Sequence, residues 1–203
     1  MVVIFSDSIS KRLSYVVKLI FEDRGIEYEI LNDPDIFSSR EGFKIVYSDY
    51  PFEQKYPTIS PSTILFEEDI RPHYLSRSHW NSQEVLSING IEDPLASIFY
   101  VLTCYEEYVS EDLDEHDRFP GKSSLLYNYG WIDKLMVERW SESVISFIEK
   151  FYCADLDKRK IAYDVIPTFD IDNAYAYRLK AGFRKWMSVS RDLLKLDRKT
   201  LKE

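Results

Sequence analysis

The chain has 203 residues, 45% of them apolar, with fifteen Tyr and twelve Phe, enough to pack the core of one domain or of one domain with an appendage. Its formal charge of −9 argues against a nucleic-acid binder, because neutralising phosphates requires a basic face. Cys104 and Cys153 are too few and too scattered for a disulfide frame or a zinc cluster. The opening Met1-Val-Val-Ile-Phe-Ser-Asp7 lacks the basic region and long apolar stretch of a secretory signal, and no segment reaches the roughly 18 apolar residues of a bilayer span, so a cytoplasmic location is expected.

In chain order, Val2–Phe5 is a short apolar run suited to a strand buried on both faces. Ser6-Asp7-Ser8 follows as the expected cap of a helix from about Ile9 to Asp23, whose Leu13, Val16, Val17 and Ile20 form one buried stripe. Gly25 ends it, as a left-handed position after a helix prefers. Residues 26–31 alternate apolar and acidic side chains as a second strand, and Lys44–Tyr47 and Ser62–Phe66 read as two more. This opening predicts an α/β fold, a mixed or parallel sheet with flanking helices and at least one right-handed crossover. Between Pro51 and Pro61 lies a loop with three prolines and several aromatic residues, expected to pack on the surface, while Arg71–Tyr74 and His79-Trp80 read as irregular.

Asp93-Pro94 is a strong helix start, with Asp as cap and Pro in the first turn. Leu95, Ile98, Phe99, Leu102 and Tyr105 continue it along one apolar face. An acidic stretch follows, with seven carboxylates between Glu106 and Asp117. It lacks the ordered spacing of a calcium loop, and Arg118 is expected to pin it by pairing with Glu106 or Glu107. Trp140, Val144, Phe147, Ile148 and Phe151 mark the buried stripe of a last helix. The charged run 155–160 is the expected domain boundary, dividing the chain into 1–158 and 159–203.

Beyond that boundary, the apolar stretch leading to Asp170 and Asp172 carries two acids one residue apart. In an extended chain these side chains project to the same face, a usual starting point for binding a divalent metal or for acid–base chemistry. Thr168-Phe169-Asp170-Ile171-Asp172 resembles the first motif of the polysaccharide deacetylases of carbohydrate esterase family 4. The resemblance implies that Asp170 is the general base that activates water and Asp172 a ligand to a divalent metal, zinc first. It further implies hydrolysis of N- or O-acetyl groups on an acetylated polysaccharide. The family's second motif, His-x-x-x-His, has no counterpart, since the histidines are His73, His79 and His116. The expectation is therefore an accessory domain followed by the first strand and helix of a deacetylase (β/α) barrel that is cut short, with no tight metal binding by this stretch alone.

A second resemblance rests on Tyr105-Glu-Glu-Tyr108, Asp114–Phe119, Trp131 and Val137-x-x-Trp140. These are similar to an uncharacterised N-terminal domain found ahead of deacetylase barrels in bacterial proteins, over roughly residues 1–160, and no activity comes with that resemblance. A non-catalytic carbohydrate-binding or protein-interaction module is the alternative, and exposed aromatics among Tyr127, Tyr129 and Trp131 would favour sugar binding. The stretch 178–203 carries nine Lys or Arg against three acids. It is read as the first barrel helix or an insertion, in preference to an amphipathic helix on anionic lipid.

Overall fold

A computed structural model describes residues 1–159, 164–169 and Met187. The chain divides into two units, Met1–Ile161 and Ala162–Glu203, and the architecture below is that of the first. Asp170, Asp172 and, apart from Met187, the basic stretch 178–203 lie outside the described residues. None of the described helices is long and apolar enough to cross a membrane.

The first half forms a four-stranded parallel sheet from β1 (Val2–Phe5), β2 (Tyr28–Leu31), β3 (Phe43–Tyr47) and β4 (Thr58–Ile59), in the order β2-β1-β3-β4. Helix α1 (Lys11–Phe21) joins β1 to β2, and α2 (Pro34–Ser39) joins β2 to β3. The first connection steps one way across the sheet and the second steps back. Right-handed crossovers therefore put α1 and α2 on opposite faces. Alternation along β1 follows: Val2 and Ile4 belong to the large core with α1, while Val3 and Phe5 pack with Phe37 of α2. All four are buried, as a strand covered on both faces must be.

The step from β3 to β4 is also parallel but has no helix. Residues 48–57 make the return alone, and handedness assigns them to the α2 face. There Phe52 meets Phe5 and Phe37 at ring centroid distances of 4.9 and 5.2 Å, and Tyr56 meets Phe37 at 5.2 Å.

A second, antiparallel sheet follows as a meander, β5 (Leu75–Trp80), β6 (Gln83–Ile88) and β7 (Ile91–Glu92). Both of its turns have two residues, Asn81-Ser82 and Asn89-Gly90, with positive φ at every position. This is the geometry that matches the twist of paired strands and that Asn and Gly tolerate. Helix α3 (Pro94–Leu102) then crosses the core, followed by α4 (Tyr105–Val109), α5 (Leu125–Asn128) and the long α6 (Met136–Tyr152). Trp140, Val144, Ile145 and Ile148 of α6 are almost fully buried.

Several expectations are corrected. The cap of α1 is Ser10, which accepts from the Leu13 N–H, and not Ser6-Asp7-Ser8. Ser62–Phe66 is not a strand: Thr63–Phe66 is a 3₁₀ turn. Pro61 cannot donate to a ladder, and the carbonyls of Ile64 and Leu65 are taken by the Arg12 and Ser10 side chains. The irregular region around His79 is the β5–β6 hairpin. The helix from Asp93 stops at Leu102, because Cys104 has φ 51° and restarts the chain as α4. It is buried all round from Pro94 to Tyr100, so its one apolar face is too narrow a description. The α/β class with a parallel sheet and flanking helices is as expected, whereas the separate antiparallel sheet takes the place of a single mixed or parallel one.

Asp93 is the junction of these parts. Its Oδ1 accepts from the N–H groups of Leu95 and Ala96, capping α3, and its Oδ2 accepts from the Tyr47 hydroxyl at 2.6 Å and the Ser62 N–H at 2.8 Å. Burial pushes the carboxyl above its ordinary range against the pull of these four donors. Asp93→Ala removes a cap and strands a buried hydroxyl and a buried N–H, so it should cost about 3–5 kcal/mol, the sum of a cap and two lost buried partners. The urea midpoint should fall accordingly with an unchanged slope; a loss below about 1 kcal/mol would contradict this role for the carboxylate.

Candidate functional site

Ligands of open parallel sheets sit beyond the carboxyl ends of the strands, where neighbouring connections diverge. At that place β1 and β3 present Ser6-Asp7-Ser8 and Ser48-Asp49-Tyr50. Asp7 Oδ2 accepts from the Ser48 hydroxyl at 2.6 Å, and Ser48 Oγ in turn accepts from the Tyr50 N–H. The Ser6 hydroxyl donates to the carbonyl of Ser8. The polar groups here brace the start of the helix-less crossover, and they fix where Tyr50 leaves the sheet.

Downstream of Tyr50 the crossover lines a cleft of about 690 Å³ against α6, with Phe52, Gln54 and Tyr56 on one wall and Phe147 and Phe151 on the other. The cleft exists because β4 pairs only with Val46 and Tyr47. The edge of β3 before Val46 therefore lacks a strand. The Tyr152 hydroxyl takes the place of one, accepting from the Lys44 N–H and donating to the Lys44 carbonyl, both at 3.0 Å. The same crossover lines a second hollow of about 420 Å³ on its α2 side, with Pro34, Asp35 and Ser38. Phe147 and Phe151, expected in the buried stripe of α6, are half-buried and 39% exposed respectively. They are the cleft wall.

A polar groove of about 650 Å³ lies between the β5–β6 turn and α6. Two of its charged groups serve the core boundary: Arg24, with an almost buried side chain, pairs with Glu138 at 2.6 Å and Glu142 at 2.8 Å. Of the aromatic residues whose exposure would favour sugar binding, Tyr127 is exposed, Tyr129 is half-buried and Trp131 is not exposed at all. Trp131 is fully buried, edge-on to Trp140 at 5.7 Å, and donates to Glu84. Arg118 is also reassigned. It pairs with Asp114 at 2.8 Å, whereas Glu106 accepts from the Ser124 hydroxyl and the Leu125 N–H at the start of α5.

Of the three histidines, His73 has an environment that the sequence did not signal. Its side chain is 2% exposed, with Nε2 lying 3.1 Å from Glu67 Oε2, off the line of an ideal hydrogen bond. Asn89 uses its carbonyl oxygen on the Tyr74 N–H, so its amide nitrogen faces His73 Nδ1 at 3.0 Å. In the neutral ring Nδ1 is then the acceptor, and the proton sits on Nε2 toward Glu67. Glu67 Oε1 accepts from Arg71 and Thr63, both at 2.6 Å, and the Tyr105 hydroxyl holds the backbone of Arg71. The cluster ties the segment before β5 to α4 and to the Asn89-Gly90 turn.

Among the described residues, no three His, Cys, Asp or Glu side chains form a group that could hold a metal ion. The two residues assigned to catalysis and metal binding, Asp170 and Asp172, lie outside the described residues. A family model described as a family of unknown function (DUF7033) matches residues 2–153. No curated protein and no solved structure matches the chain.

The Glu67 cluster sets a pH dependence. Burial pushes this carboxyl up, but the hydrogen bonds from Arg71 and Thr63, with His73 and the Arg71 charge, hold it below its ordinary range. A carboxyl lowered by folding contributes stability that is fully present above its unfolded pKa of about 4.3 and is lost as pH falls through the folded value. Glu67→Gln should therefore be less stable than the parent at pH 7. The gap should narrow as pH drops below about 4. Urea midpoints of both proteins across this range give the comparison, and a gap that widened toward acid would contradict the assignment.

Proposed function

Since the chain belongs to the family of unknown function DUF7033, a membership that carries no activity with it, we propose a function from its own residues: it is the N-terminal part of a metal-dependent carbohydrate deacetylase. In this reading the first unit is an accessory α/β domain, and the catalytic domain begins beyond it. The observation that carries the proposal is the position of Thr168-Phe169-Asp170-Ile171-Asp172. It stands shortly after the family-matched region and within the second unit, as expected of the opening motif of a separate catalytic domain.

The chemistry asks for two distinct acids at this place. Amide or ester hydrolysis needs an acceptor for the proton of the attacking water, the role proposed for Asp170. Asp172 would be one ligand of a divalent metal, zinc first, which when bound polarises the acetyl carbonyl. One carboxylate supplies a single donor where catalytic zinc usually keeps three protein ligands, so residues 1–203 alone should hold zinc weakly. The substrate class is an acetylated polysaccharide. A second reading, a non-catalytic carbohydrate-binding module, is favoured by the aromatic cleft and describes what the first unit itself can do.

The two acids separate by mutation. In the full-length natural protein, Asp170→Asn should retain zinc but lose about 10²–10⁴-fold in acetate release from acetylated polysaccharide, the usual worth of a general base, whereas Asp172→Asn should lower the zinc content itself. Zinc analysis and acetate assays on the two variants beside the parent decide it. Parental turnover by Asp170→Asn would remove the proposed role of this motif.

A further inference from the structure

We propose that the cleft between the 48–57 crossover and α6 is a saccharide-binding site that takes a neutral stretch of a polysaccharide chain. Its walls carry Tyr50, Phe52, Tyr56, Phe147 and Phe151; Phe52, Tyr56 and Phe147 also pack on the hydrophobic core, whereas Tyr50 and Phe151 are the rings left open at the surface. Phe151 and Tyr50 remain 39% and 44% exposed, leaving apolar ring surface in water. The C–H faces of a pyranose are apolar while its rim is hydroxylated, so rings beside polar side chains match it.

The polar groups of the cleft select against charged ligands. Glu53 and Lys55 both line it with opposite charges, so neither a phosphate nor a cation finds a net counter-charge. Gln54 accepts from the Tyr56 hydroxyl at 2.9 Å through its carbonyl oxygen. What it can offer a ligand is its amide N–H pair, which suits hydroxyl or acetyl oxygen acceptors. The site is held in shape before any ligand arrives. Phe52 is wedged between Tyr50, Phe5, Phe37 and Tyr56 at centroid distances of 4.8–5.5 Å, and a preorganised ring loses little freedom on binding. The volume of about 690 Å³ lies within the usual range of ligand pockets, about 300–1,000 Å³. The adjoining hollow on the α2 side, which shares Tyr50, Phe52 and Gln54, gives a polymer room to continue. The choice of a saccharide among neutral ligands rests on the carbohydrate reading above.

The test is calorimetric titration of the 203-residue chain with three soluble probes: a pentamer of N-acetylglucosamine, an O-acetylated xylan oligosaccharide and a glucose pentamer. At least one should bind. Phe151→Ala and Tyr50→Ala should each weaken that binding about three- to tenfold, the worth of one ring contact, whereas Tyr127→Ala, an exposed ring that does not line the cleft, should leave it unchanged. Tyr50 also packs on Phe5, so a thermal melt accompanies each variant, and Phe151→Ala and Gln54→Ala keep the test independent of that packing. Failure of all three probes to bind, or binding unaltered by Phe151→Ala, overturns the site. Acetate release is read separately in the full-length natural protein, so a failed titration and a failed deacetylase assignment cannot be confused.

Discussion

Every buried backbone N–H and C=O must find a partner, and in this domain two edge strands are too short to supply them. Strand β4 covers only the end of β3, and β7 covers only Ser87 and Ile88 of β6. Helix side chains complete the ladders. Tyr152 serves Lys44 on β3, Ser97 of α3 serves both backbone groups of Leu86, and the Trp140 indole donates to the Glu84 carbonyl. The helices thus do more than bury apolar area. They are registered against the sheets by directional contacts, and the positions of α3 and α6 follow from where the strands end.

Asp93 adds the third fixed point, since one carboxylate caps α3 and binds the end of β3 and the turn at Ser62. With α3 fixed to both sheets, α6 packs across it and reaches past the β4 edge. Its last turns bring Phe147 and Phe151 opposite the crossover. The cleft is therefore a by-product of two short strands and one long helix, and aromatic side chains, rather than the backbone, give it chemical character.

What the sequence made legible was mostly local. The stripe of α1, the Asp93-Pro94 start and the left-handed Gly25 all rest on periodicity or on a single capping residue, and each is found in place, whereas of the α6 stripe only Trp140, Val144 and Ile148 are buried. The β5–β6 hairpin was hidden because Leu75–Trp80 mixes Ser, Arg and His with few apolar residues and is at best half-buried. Its turn pair Asn81-Ser82, and Asn89-Gly90 between β6 and β7, were the readable signs. The apolar run at Ile64 and Leu65 looked like a strand because burial alone does not distinguish a 3₁₀ turn from one. Of the cleft, the aromatic, proline-rich loop was visible, but its partner wall was not: a helical stripe shows which residues share a face, not where a sheet edge stops beneath them. His73 was unreadable for the same reason, since Glu67 and Asn89 reach it only through the fold.

The missing helix between β3 and β4 has a kinetic side. A crossover helix can form early from local contacts, and its packing offsets part of the entropy of closing a parallel connection. Residues 48–57 have no such local structure, so β4 gains its two pairs only after Phe52 and Tyr56 have docked among rings from β1 and α2. These contacts then belong among the last to form and, by the same reasoning, among the first to open in local excursions from the native state. An occupant wedged between the crossover and α6 would hold that late-folding segment closed, coupling occupancy of the cleft to the lifetime of the sheet edge.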